Sequence, residues 1–100
     1  MAFVKVAEVG QVPPGSGRVV EAGGRELALF NVAGEFYCLD NGCPHNDGPL
    51  GEGDLEDDVV MCPWHAWQFN VRTGCMIYNE SLCVATYPCK VVDGEVLADV

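Results

Sequence analysis

The two histidines of this chain constrain its fold more than any other residues. Each stands just beyond a cysteine in a proline-containing turn, Cys43-Pro44-His45 and Cys62-Pro63-Trp64-His65, with sixteen residues between His45 and Cys62. Core cysteines with incidental histidines would have no reason to fall into this arrangement twice. Thiolates and imidazoles are ligands for zinc and for iron–sulfur clusters. Two short loops must then clasp the metal from either side, because neither loop alone could hold it.

The spacing separates the two metals. Structural zinc sites usually take a cysteine pair and a histidine pair, or four cysteines. Here each loop offers one thiolate and one imidazole. That mixture suits a 2Fe–2S cluster in which one iron has two cysteines and the other two histidines. A zinc-stabilised interaction module without redox activity is the competitor from another class.

Around these loops the chain reads as strands. Runs rich in β-branched and aromatic residues recur between glycine and proline, and no segment keeps a helical period. Strands are predicted at 3–9, 18–22, 26–32, 35–39, 59–61, 67–71, 84–92 and 95–100. Gly23-Gly24, Ala33-Gly34 and Asp93-Gly94 are two-residue turns between consecutive runs. Residues 40–58 hold four glycines, two prolines and a run of carboxylates, and are expected to be mostly loop. The expected architecture is one all-β domain with an inserted loop region that carries the chemistry.

Charge narrows the function. Fifteen acidic residues against five basic ones leave a formal net charge of −10. Nucleic-acid binding needs a basic footprint, and an anionic membrane surface would repel this chain. Acidity suits a carrier that meets basic patches on its partners, and also simply keeps a protein in solution. The first residues lack the pattern of a signal peptide, and no run approaches the length of a membrane span. The expected compartment is the cytoplasm, where six cysteines suggest metal binding before disulfides.

The pattern Cys-x-His, sixteen residues, Cys-x-x-His resembles that of Rieske proteins. Its surroundings, Cys43 to Gly53 and Cys62 to Phe69, are similar to the ferredoxin components of bacterial ring-hydroxylating oxygenases. So are Val12-Pro13-Pro14-Gly15, Phe36-Tyr37, Arg72-Thr73-Gly74 and the Asp93-Gly94 hairpin. The resemblance implies an antiparallel β sandwich or barrel over residues 1–100, with a small loop-rich cluster-binding subdomain at roughly 41–83. It implies one 2Fe–2S cluster, with Cys43 and Cys62 on the buried iron and His45 and His65 on the outer iron. It implies a monomeric one-electron carrier rather than an enzyme, taking electrons from an NAD(P)H-dependent flavoprotein reductase and passing them to a terminal oxygenase. The Rieske-type small subunit of an assimilatory nitrite reductase is built to a similar pattern and is the nearest alternative.

The neighbours of the ligands bear on the potential. Respiratory Rieske proteins carry an extra cysteine in each loop, joined as a disulfide; the matching positions here are Gly48 and Trp64. They also place a serine and a tyrosine after the second histidine, where this chain has Trp67 and Phe69. Losing two hydroxyl donors disfavours the reduced cluster, as do the acidic surroundings. Glu52, Asp54, Glu56, Asp57 and Asp58 form a charged loop between the ligand pairs, either merely solvated or a guide to docking whose effect falls as salt rises. The expected potential lies at the low end of the Rieske range, about −150 mV. Trp64 and Leu50 are candidates for an apolar docking patch. The remaining cysteines, Cys38, Cys75, Cys83 and Cys89, are expected to be mostly buried free thiols; a Cys75–Cys83 bridge is conceivable, but a reducing compartment argues against it. Residues 74–82 lack the proline that related proteins often carry in a third loop near the cluster.

Overall fold

The computed structural model describes residues 2–42, 48–64 and 66–100. Among the described residues ten strands run in chain order: β1 (Phe3–Glu8), β2 (Ser16–Ala22), β3 (Arg25–Val32), β4 (Glu35–Asp40), β5 (Asp54–Glu56), β6 (Val59–Met61), β7 (Gln68–Asn70), β8 (Thr86–Tyr87), β9 (Cys89–Val92) and β10 (Glu95–Asp99). Two 3-10 turns, Val9–Gln11 and Leu50–Glu52, complete the regular structure of the described residues. The strands form three antiparallel sheets ordered β1-β10-β9, β2-β3-β4-β8 and β5-β6-β7.

The expected two-residue turns are present. Gly23 and Gly24, Ala33 and Gly34, and Asp93 and Gly94 all take positive φ, as tight hairpins between right-twisted strands require. These turns set the register of β2 on β3, β3 on β4, and β9 on β10.

β3 is the centre of the molecule. Its residues Leu27 to Val32 are all buried, so both of its faces are covered. Ala28, Phe30 and Val32 point into one core with Leu39, Leu50, Val60, Cys62, Phe69, Val71 and Val84. Leu27 and Leu29 point the other way, into a second core with Ala7, Val12, Val20, Ala22, Cys38, Val96 and Ala98. The alternation is the period of two of an extended chain. One face of the middle sheet thus carries the β1-β10-β9 layer, and the other carries β5–β7.

Two expectations need correction. The run 84–92 is not one strand but two, because Pro88 has no N–H to donate. β8 pairs with β4, the chain turns at Pro88, and β9 joins β10 in the other sheet. Residues 54–56, expected as loop, form β5 against β6. Asp57, with φ of 54°, makes the turn between them.

Candidate metal centre

The first loop leaves the scaffold at Asn41. This side chain is only 5% exposed, and its Oδ1 accepts a hydrogen bond from Gly51 N at 2.8 Å. Its backbone oxygen accepts from Leu50 N at 2.8 Å, and its N donates to Glu26 O at 3.3 Å. Gly42 and Pro49 then form a β-bridge. The segment bearing Cys43 and His45 therefore begins and ends at one anchored point. Asn41 escaped the sequence reading; its only signal was an amide residue immediately ahead of the Gly-Cys-Pro-His segment.

The second loop is the connection between β6 and β7. Met61 pairs with Gln68, Cys62 N donates to Trp67 O at 2.7 Å, and Ala66 N donates back to Cys62 O at 3.0 Å. Ala66 takes φ of 59° to close the turn. Cys62 sits at its base, 1% exposed, as a free thiol within the first core. Of the four expected ligands, Cys62 is described; Cys43, His45 and His65 lie outside the described residues.

The two loops meet at Gly48. A Cβ there would lie 2.6 Å from Cys62 Sγ and 3.2 Å from Trp64 Cγ. The motif glycine thus leaves space directly against the sulfur. The two positions that carry the disulfide in the respiratory proteins face each other here as Gly48 and Trp64. Gly53 performs a similar service for the sheet below, since a Cβ on it would come within 2.1 Å of Met61 O. A buried, unbridged thiol with a glycine beside it is compatible with a ligand to iron, although Cys62 is also part of the first core.

A third segment lies along β7. Ile77 N donates to Gln68 O at 2.9 Å, Asn70 N donates to Cys75 O at 2.9 Å, and Met76 bridges Phe69. The chain returns through Leu82, whose O accepts from Met76 N at 2.9 Å, so residues 75–83 form a hairpin. Cys75 and Cys83 face each other across it and are joined by a disulfide. The expectation of free thiols at these two positions is therefore wrong. Antiparallel pairing, invisible in their spacing, puts the side chains opposite one another. Cys38 and Cys89 are free as expected. The hairpin lacks the family proline and has this covalent closure instead.

The surroundings are acidic and partly apolar. A shallow cavity of about 340 Å³ beside Cys62 is lined by Glu52, Asp54, Pro63 and Trp64, among others. Trp64 is 57% exposed and Tyr78 is 78% exposed. Leu50 is fully buried in the first core, so it is no part of an exposed patch, contrary to expectation. Phe69, at the position of the respiratory tyrosine, is also fully buried. Arg72 ties this end to the scaffold. It pairs with Asp58 at 3.3 Å and Glu35 at 3.8 Å, and its guanidinium lies 5.0 Å from the Tyr37 ring centre. Among the described residues no helix is long and apolar enough to cross a membrane.

A free, buried cysteine between two converging loops of an all-β scaffold is placed where it could serve as a ligand in a small iron–sulfur protein. The model of the Rieske [2Fe-2S] domain matches residues 2–88, and the chain belongs to that family, whose cofactor is one 2Fe–2S cluster. It is 37% identical over 102 residues to the biphenyl dioxygenase ferredoxin subunit of Pseudomonas sp. strain KKS102, covering 99% of this chain and 93% of that one. It is 38% identical over 96 residues to the ferredoxin component of the alkene monooxygenase system of Xanthobacter autotrophicus, covering 95% and 79%. Among solved structures, a chain in the complex of reduced oxygenase and oxidized ferredoxin in carbazole 1,9a-dioxygenase superposes with a TM-score of 0.86. That match has 33% identity and covers 96% of this chain and 91% of the other.

Proposed function

We propose that this protein is the ferredoxin of a multicomponent oxygenase system. It takes single electrons from an NAD(P)H-dependent flavoprotein reductase and passes them to a terminal ring-hydroxylating oxygenase. It is a carrier and not itself an enzyme. The observation that carries this reading is the likeness to ferredoxin subunits over nearly the whole chain, joined to the unbridged Cys62 beside Gly48.

In this reading residues 1–100 form one Rieske domain, with the cluster-binding part at roughly 41–83. Cys43 and Cys62 hold the inner iron, and His45 and His65 hold the outer one. When bound, the cluster supplies a one-electron couple. The burial of Cys62 fits an inner ligand screened from water. Asn41 fixes both ends of the first loop, and Gly48 lets the second approach it. Phe69 offers no hydroxyl where the respiratory proteins have one, and Glu52 and Asp54 place negative charge nearby. Both effects disfavour the reduced state and keep the potential low. The protein acts as a monomer in the cytoplasm, where the Cys75–Cys83 bond meets a reducing environment.

Anaerobic reconstitution followed by potentiometric titration tests this. A reversible one-electron couple at about −150 mV is expected. A strongly positive value would overturn the argument from Trp67 and Phe69. A colourless protein that retains zinc would overturn the cluster assignment. Co-purification with a large nitrite-reducing subunit would move the protein to that class.

A further inference from the structure

The hairpin at residues 75–83 carries a disulfide that the cluster chemistry leaves unused, and its two legs are held by different means. The near leg is anchored to β7 by Asn70 N bonding to Cys75 O and Ile77 N bonding to Gln68 O, and Met76 packs against the first core. Val84, where the return leg ends, is buried in that same core. Residues 79–83 between these anchors are all exposed. Among the described residues two backbone bonds join the legs, Val84 N to Gly74 O at 2.8 Å and Met76 N to Leu82 O at 2.9 Å. Only the second lies beyond the disulfide, toward the tip. One hydrogen bond open to water contributes little. The Cys75–Cys83 bond is therefore the main fastening of the outer leg.

The same bond is placed for exchange. Cys83 is exposed and Cys75 half-buried, so a thiol in solution reaches Cys83 first. The two flanking backbone bonds make Cys75 and Cys83 a non-hydrogen-bonded antiparallel pair, the arrangement in which facing side chains come closest. When the sulfurs part, the base of the hairpin stays closed, because Val84 is buried and Gly74 N is itself bonded to Asn70 O at 2.7 Å. The two thiols are thus left opposite one another, within reach of re-forming the bond. A disulfide that thiols can reach, in the cytoplasm assigned above, belongs with transient and redox-sensing bonds rather than with structural ones.

We propose that Cys75–Cys83 is a reversible thiol–disulfide latch, opened by a thiol reductant of the glutathione class, that fastens the outer leg of this hairpin. In the first step the reductant's thiolate attacks Cys83 Sγ. A mixed disulfide forms, the Cys75–Cys83 bond breaks, and the Cys75 thiolate leaves and takes up the proton that the reductant lost. In the second step another reductant thiolate attacks the reductant sulfur of the mixed disulfide. Cys83 leaves as thiolate and takes up that thiol's proton. Two reductant thiols lose two electrons to become one disulfide, and one protein disulfide becomes two thiols. Opening the latch frees Leu82 at the tip while Ile77 stays bonded to Gln68, three residues after His65. That the cell's thiol poise thereby acts on the metal end rests on the cluster reading given above; the exchange itself does not.

The test equilibrates the reconstituted holoprotein, its cluster spectrum recorded beforehand, in glutathione buffers of rising reduced fraction without oxygen. Samples are quenched in acid, alkylated and mapped by mass spectrometry. At a cytoplasmic ratio of reduced to oxidised glutathione, Cys75 and Cys83 should be recovered alkylated, and the bond should return on transfer to oxidised glutathione. Hydrogen exchange at the Met76 and Leu82 amides should quicken by about tenfold or more on reduction, while Ile77 N–H stays protected. With oxidised glutathione, Cys75→Ser should take up the adduct on Cys83 faster than Cys83→Ser takes it up on Cys75. A bond that stays intact at the cytoplasmic ratio, or that does not re-form, would overturn the proposal. So would unchanged exchange at Leu82, or faster capture by Cys75 than by Cys83. These readouts follow the disulfide alone, so a failed cluster assignment shows separately in the initial spectrum.

Discussion

The middle sheet and the β5-β6-β7 sheet are built by opposite means. β2 and β3 pair through seven consecutive positions, and β3 buries side chains on both faces. β5, β6 and β7 have three residues each and pair through three positions. So small a sheet is marginal by itself. It persists because Val60 and Phe69 share a core with Phe30 and Leu39, and because the chain comes close to the Cys62 and Trp64 side chains at Gly48 and to the Met61 backbone at Gly53. The scaffold is specified by side-chain alternation, which tolerates substitution of one apolar residue by another. The metal-binding end is specified by close approach, which tolerates almost nothing.

The contrast can be broken most severely at Cys62. Cys62→Ala should abolish the visible cluster spectrum while far-ultraviolet circular dichroism still reports the sheets of the scaffold. Retention of a Rieske spectrum would remove this residue from the ligand set. Next in size is Gly53→Ala, which drives a methyl into Met61 O. It should cost about 2–3 kcal/mol in urea unfolding, the upper range for overpacking. An unchanged midpoint would mean that β5 shifts freely. Asn41→Ala leaves the buried Gly51 N–H without its acceptor and should cost about 1–3 kcal/mol. Its distinguishing mark is faster loss of iron to a chelator, since the side-chain tie between the two ends of the first loop is lost while the backbone bonds of residue 41 remain.

The smallest effect belongs to the scaffold. Ala33 holds φ of 53° in the β3–β4 turn, a conformation that costs an alanine roughly 1–2 kcal/mol. Ala33→Asn should recover up to about 1 kcal/mol, because Asn-Gly suits this turn. Tm should rise with no change in the potential of the cluster. A coupled change in potential would show that the scaffold and the metal-binding end are less independent than their construction suggests.

What the sequence by itself determined was local. The two Cys-Pro motifs pointed to the proposed metal centre because a coordination motif is written in a few adjacent residues. The Gly23-Gly24, Ala33-Gly34 and Asp93-Gly94 turns set three hairpins because a two-residue turn dictates the register of its own strands. What only the tertiary structure decided depended on residues distant in sequence or on pairing across a loop. The Cys75–Cys83 bond follows from the return of a hairpin, and the division of 84–92 into β8 and β9 from two sheets competing for one run at Pro88. Leu50 is core because Asn41 pins its turn beneath the first loop. Glycines 48 and 53 were legible as part of a motif, but not as the points where sulfur and carbonyl come too near for any side chain. Local chemistry is encoded in neighbours, whereas close approach is a property of the folded whole.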